Sequence, residues 1–183
     1  MTAATTIGVT RLLAAQAAAF LALLLIASAI HKIVRPARTR EVMQEFAGVP
    51  PRFAYLALIG VPLAELVAGF GLAVPAGRAA AAMLAALIWS GYLLLILRAI
   101  LQGRRYLDCG CSFGPSLRPL GTYQMLRGVM LIGLASLVVA LPPDPSATLS
   151  TASELLAAAA FLGLYAALDQ AMAAQPLRVG ERR

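Results

Sequence analysis

The chain has 183 residues, of which 61% are apolar and only 13% are charged. Soluble domains average about 45–50% apolar and about 25% charged residues, so an ordinary soluble domain is excluded. A disordered chain would be poorer in apolar residues, and a disulfide-stabilised secreted domain would need more than the two cysteines present. In a membrane protein the positions of the basic residues are more informative than the net charge of +7, because they indicate the orientation of the spans.

A helix needs about 20 mostly apolar residues to cross the roughly 30 Å hydrocarbon core of a membrane. Five segments of the chain meet this requirement. We predict an all-α polytopic bundle with a four-helix core plus a C-terminal helix, in a single integral membrane domain over 1–183. The predicted spans are 11–31, 53–74, 79–101, 120–141 and 152–173.

The first and last spans each have an alternative. Ala27-Ser28-Ala29 has the form of a signal-peptide cleavage site, but the long apolar run before it favours a retained span. The uncharged part of the fifth segment, Leu155–Leu168, is short and is flanked by Glu154 and Asp169. Because its apolar residues cover every side of the helix, we expect it to cross the membrane rather than lie on it.

The connectors contain proline and glycine breaks, such as Pro75-Ala76-Gly77 between the second and third spans. The first connector is longer, and Val42, Met43 and Phe46 fall on one side of a helix within it. This pattern predicts a short helix at the membrane interface.

The basic residues fall mainly on one side of the predicted bundle. With five spans, the connectors 31–52 and 98–122 and the C-terminal tail share a side and carry 12 of the 15 basic residues. Because basic residues remain cytoplasmic, we predict an outside N-terminus and a cytoplasmic C-terminus.

Both cysteines lie in the connector between the third and fourth spans, 102–119, as Asp108-Cys109-Gly110-Cys111. A Cys-Gly-Cys pair can close a small, readily reduced disulfide ring, as a redox-active pair requires. Nearby Arg104, Arg105 and Arg118 would favour the reactive thiolate. Inert packing, a stable structural link and a soft-metal site with His31 as third ligand are the alternatives.

Glu65 and Arg127 are charged residues deep in predicted spans, where charges usually pair and face the bundle interior. Their depths from the same side are roughly 20 and 13 Å at 1.5 Å per residue, so we expect them to pair. The pair could be purely structural. It could also form a polar floor beneath the cysteine connector that tunes the thiols or holds a polar quinone head.

His31-Lys32 closes the first span on the side of the cysteine connector. Histidine can carry protons near neutral pH, although a polar end group at the interface is the simpler interpretation.

A series of short motifs occurs in a fixed order along nearly the whole chain: Ala29-Ile30-His31-Lys32, Gly48-Val49-Pro50, Pro62 with Glu65, Asp108-Cys109-Gly110-Cys111 with Phe113-Gly114, and Arg127. In these motifs the chain resembles the methylamine utilisation protein MauE family, which belongs to a wider group of small DoxX-like membrane proteins. Ser112 before Phe113 and Gly128 after Arg127 depart from the usual family pattern.

The resemblance implies a maturation factor in a bacterial cytoplasmic membrane, associated with the disulfide-rich small subunit of methylamine dehydrogenase. It implies a thioredoxin-like partner and an exported client containing disulfides. Cys109 and Cys111 would then be the catalytic, redox-active pair, with His31, Lys32, Glu65, Asp108 and Arg127 in supporting roles. Because the basic residues are explained by membrane topology, we expect contact with the lipid bilayer and no nucleic-acid partner.

Three functions compete at this point. The first is thiol–disulfide exchange through Cys109 and Cys111. The second is a soft-metal transporter or chaperone that uses the same thiolates, and the third is a DoxX-like assembly subunit in which the cysteines are dispensable. The distribution of basic residues predicts that the cysteine connector lies at the cytoplasmic face, whereas exported proteins form their disulfides outside. The side of the membrane from which partners reach the connector is therefore not decided by the sequence.

Overall fold

A computed structural model describes residues 3–45, 50–104, 121–141 and 152–174. All regular structure in these ranges is helical, which confirms the predicted all-α class. A single 3₁₀ turn, Pro75–Gly77, joins the third and fourth helices. The six helices are α1 (Ala3–Val34), α2 (Pro36–Glu45), α3 (Pro51–Ala73), α4 (Arg78–Leu101), α5 (Thr122–Ala140) and α6 (Ala152–Ala174).

Five of the helices are long and apolar enough to cross a membrane, and they lie close to the five predicted spans. The chain is therefore a multi-pass membrane protein. The weakest of the predicted segments, α6, is among them. The spanning windows are Leu12–Val34, Phe53–Ala73, Pro75–Leu101, Thr122–Ala140 and Glu154–Met172.

α1 is the central helix of the bundle. It packs against α3, α5 and α6, while α3 packs against α4 and α4 against α5. More than half of its apolar window is buried inside the protein, compared with less than a third in each other span. Ala18, Leu21 and Leu25 are almost completely buried in this core. The small alanines let neighbouring helices approach closely, as is common in membrane bundles.

α2 continues from α1 across a proline kink. Pro36 has no backbone N–H, so the carbonyl of Lys32 lacks its usual helical donor. The hydroxyl of Thr39 donates to that carbonyl over 3.2 Å and thereby satisfies it. Met43 is buried, and Val42 packs against the end of α4, so the apolar side predicted for this segment faces the bundle. Phe46, the third residue of the predicted apolar side, lies outside the described residues.

The α3–α4 hairpin is closed by an arginine. Arg78 is buried, and its Nε donates to the carbonyl of Leu72 over 3.1 Å. This bond satisfies a carbonyl in the last turn of α3 that has no helical donor. The expected tight turn over residues 75–77 is confirmed as the 3₁₀ turn.

Candidate functional site

A buried ion pair joins α1 to α3. The Nζ of Lys32 lies 2.8 Å from Oε1 and 3.1 Å from Oε2 of Glu65, and both side chains are almost fully buried. Ser28 stands one helical turn before Lys32, so it is on the same side of α1. Its hydroxyl donates to Glu65 Oε1 over 3.0 Å and lies 2.6 Å from Lys32 Nζ. Tyr92 of α4 adds a bond from its hydroxyl to the same Oε1 over 2.8 Å.

These contacts use the hydrogen-bonding capacity of both partners. The carboxylate of Glu65 accepts bonds from three side chains, and Lys32 donates to the side chains of Ser28 and Glu65. A charge buried in a membrane bundle is tolerated when it is paired and its remaining hydrogen-bonding capacity is used. The Glu65 network, which we define as Ser28, Lys32, Glu65 and Tyr92, therefore fixes α1, α3 and α4 relative to one another.

A second ion pair joins α5 to α6. Arg127 Nη1 lies 2.7 Å from Asp169 Oδ1, and the two side chains are 10% and 6% exposed. The guanidinium also stands 5.5 Å from the ring centre of Tyr165, within the range of a cation–π contact. Among the described residues, the backbones of α5 and α6 do not approach each other closely. The long side chain of Arg127 therefore spans the gap to Asp169.

The expected pairing of Glu65 with Arg127 is wrong. Glu65 pairs with Lys32, and Arg127 pairs with Asp169. The depth of a residue along its span does not reveal which neighbouring helix its side chain meets. Both charges lie in buried ion pairs, as expected. The partner of Glu65 comes from α1, however, and the partner of Arg127 comes from α6.

A small cavity, which we call the interhelical cavity, lies between the two ion pairs; several polar side chains reach its otherwise apolar walls. Its volume is about 50 Å³, and its walls come from α1, α4, α5 and α6. Ser28 and Tyr92 line it from the Glu65 network, and Arg127 and Tyr165 line it from the second pair. His31, Trp89 and Gln124 also contribute to its walls.

The size of this cavity limits its contents. A cavity of about 10–15 Å³ holds one water molecule and one of about 150 Å³ holds benzene, so this space suits a few waters rather than a quinone ring. Within the described ranges, no cluster of three or more His, Cys, Asp or Glu side chains could hold a metal ion.

The cavity lies near the helix ends from which the cysteine connector departs. Ile96, near the end of α4, and Gln124, in the first turn of α5, both line it. Of the predicted site residues, His31 and Arg127 line the cavity, whereas Lys32 and Glu65 belong to the adjoining Glu65 network. Asp108, Cys109 and Cys111 lie outside the described residues.

Several site residues were missed from the sequence. Asp169 flanks the uncharged run Leu155–Leu168, and this position alone does not identify it as a site residue. Its charge within the extended fifth span nevertheless indicates that it should have a basic partner inside the bundle. Ser28 could have been found because it precedes Lys32 by one helical turn. Tyr92 and Tyr165 gave no signal, since one tyrosine in a span is common at membrane interfaces.

The chain matches a family model described as "Methylamine utilisation protein MauE" over residues 9–141. It is 32% identical over 153 residues to the methylamine utilization protein MauE of Paracoccus denitrificans, covering 80% of each chain. It is also 33% identical over 163 residues to the MauE protein of Methylophilus methylotrophus, covering 84% of this chain and 82% of that relative. The chain belongs to the MauE family. No solved protein structure matches it.

The match to the MauE model covers α1 to α5 and stops before α6. The Glu65 network lies wholly inside the matched segment. Arg127 lies inside it as well, but its partner Asp169 lies beyond it. The family model thus covers the part of the chain that holds the Glu65 network and the connector with both cysteines.

Proposed function

We propose that the protein is a membrane accessory factor of methylamine utilisation that assists the thiol–disulfide maturation of an exported enzyme. Membership of the MauE family supports the methylamine part of this proposal, since both curated relatives are described as methylamine utilisation proteins. By resemblance, the client is the small subunit of methylamine dehydrogenase and the partner is a thioredoxin-like protein.

The exchange would take place at Cys109 and Cys111. A thiolate of the partner or client attacks one sulfur of their disulfide, forming a mixed disulfide and releasing the other cysteine as a thiolate. A second thiol of the attacking protein then resolves the mixed disulfide. That protein leaves oxidised, and the Cys109–Cys111 pair is left as a dithiol that has gained two electrons and two protons.

The observation that carries the proposal is the interhelical cavity near the ends of α4 and α5. The cysteine connector departs from these ends, at Arg104 and Gly121. The cavity brings His31 and room for water to this end of the bundle, and both could pass protons during exchange. The two ion pairs hold the surrounding helices in fixed positions.

The test is complementation of a Paracoccus denitrificans strain that lacks its own MauE protein. We expect Cys109→Ser and Cys111→Ser each to abolish accumulation of the mature small subunit. Ser112→Ala, in the same connector, is the matched control and should retain it. One of the two cysteine variants should also trap a mixed disulfide that is visible on a non-reducing gel.

The outcomes separate the competing functions. Full maturation in the Cys109→Ser/Cys111→Ser double variant would leave only the DoxX-like assembly role. Loss of maturation without a mixed disulfide in either single variant, together with rescue by added copper, would indicate the soft-metal function instead.

A further inference from the structure

A groove runs along the outer side of the bundle between α3 and α4. Its volume is about 560 Å³, and its walls are almost entirely apolar. Gly60 and Ala64 of α3 and Gly91 of α4 form its shallow floor, while Leu87 and Leu94 are strongly exposed beside it. A Cβ atom added at Gly60 or Gly91 would meet no atom within 4 Å, so the space above these glycines is open.

The length of the groove matches the thickness of the hydrocarbon layer in one membrane leaflet. It follows α4 from Leu87 to Arg98, which lie 11 positions apart and therefore about 16 Å apart at a rise of 1.5 Å per residue. The hydrocarbon core is about 30 Å thick, so a single leaflet supplies about half of this. An acyl chain of one leaflet could therefore lie along the whole groove.

A positive charge stands at the outer end of the groove. Arg98 lines it, is exposed and lies in the last turn of α4. This end is on the side of the bundle that carries most of the basic residues. A guanidinium at the end of an apolar groove complements a phosphate attached to an acyl chain, and basic pockets between spanning helices bind anionic lipids.

We propose that this groove binds one anionic phospholipid, with its phosphate on Arg98 and one acyl chain over Gly60 and Gly91. The proposal depends on the chain's spanning a membrane and does not depend on the cysteines. Tyr92 lines both the groove and the interhelical cavity, so the bound acyl chain would lie on the outer side of a residue of the Glu65 network.

The test is native mass spectrometry of the full chain in detergent, titrated with phosphatidylglycerol or phosphatidylcholine. One basic residue near an anionic surface contributes about 1 kcal/mol, so we expect the first phosphatidylglycerol to bind about five-fold tighter than phosphatidylcholine. Arg98→Gln should remove this preference, and Gly91→Leu should weaken the binding of both lipids by filling the groove. Gly163→Leu, on α6, is the matched control because its surroundings are equally open.

Three results would overturn the proposal. The first is an equal affinity for the two lipids in the unmodified protein. The second is lipid binding that Gly91→Leu leaves unchanged. The third is dissociation of a dimer by Gly91→Leu, which would make the groove an interface with a second copy of the chain. None of these results bears on the thiol–disulfide function, because the complementation test uses different residues.

Discussion

The carboxylate of Glu65 connects three helices through one side chain. It lies on α3, accepts bonds from Ser28 and Lys32 of α1, and accepts another from Tyr92 of α4. Its relative exposure is 0%, so water does not share in satisfying it. The stability of this part of the bundle therefore depends on keeping the carboxylate paired.

Replacing Lys32 with alanine should strongly destabilise the protein. Removing one partner of a buried ion pair leaves an uncompensated charge and costs about 3–5 kcal/mol. The Lys32→Met/Glu65→Gln double variant removes both charges and should recover much of this loss. The free energy of unfolding in a titration with sodium dodecyl sulfate, in mixed micelles, measures both.

Arg35→Ala is the matched control for this comparison, because Arg35 is an exposed basic residue shortly after Lys32. Exposed substitutions away from special contacts usually change stability by no more than about 0.5 kcal/mol. If Lys32→Ala costs no more than Arg35→Ala, the Glu65 network does not stabilise the bundle.

At the scale of the helices, the close contact between α1 and α3 depends on Gly69. A Cβ atom added there would stand 2.8 Å from Cγ1 of Ile26 and 3.2 Å from the backbone oxygen of Ala22. The side chain of Ile26 could rotate, but the backbone of α1 would have to move. This contact lies one helical turn from Glu65, so it also limits the distance between α1 and α3 at the Lys32–Glu65 ion pair.

Gly69→Ala should therefore destabilise the protein by about 1–3 kcal/mol, the usual cost of overpacking. At Gly163 an added Cβ meets nothing within 4 Å, so Gly163→Ala should be neutral or stabilising by up to about 1 kcal/mol through helix propensity. The same detergent unfolding titration compares the two. Equal effects of both substitutions would show that the contact at Gly69 relaxes freely.

The helices could be predicted from the sequence more readily than their contacts. In a membrane every backbone polar group must be satisfied within the segment, so a long apolar run directly indicates a helix. The kink at Pro36 was not predicted, although proline was the available signal. The partners of Glu65 and Arg127 could not be predicted, because they depend on how the helices rotate and pack. Asp169 illustrates this, since it comes from a helix beyond the residues that the MauE family model matches.

At the scale of the whole molecule, the five candidate spans of the described residues predict that the two ends of the chain lie on opposite sides of the membrane. The prediction from the basic residues is an outside N-terminus and a cytoplasmic C-terminus. A green fluorescent protein fused after Arg183 should fluoresce, because it folds in the cytoplasm. Alkaline phosphatase inserted after Asp144, between the fourth and fifth spans, should be active outside. The opposite pattern would reverse the orientation.

The two buried ion pairs also determine how the bundle behaves in an electric field. Lys32 with Glu65 and Arg127 with Asp169 each sum to zero formal charge. A membrane potential does work of about 2.3 kcal/mol on each elementary charge that crosses 100 mV, and it does almost none on a compact neutral pair. A membrane potential therefore does little net work when either ion pair moves as a unit, whichever way the chain is oriented.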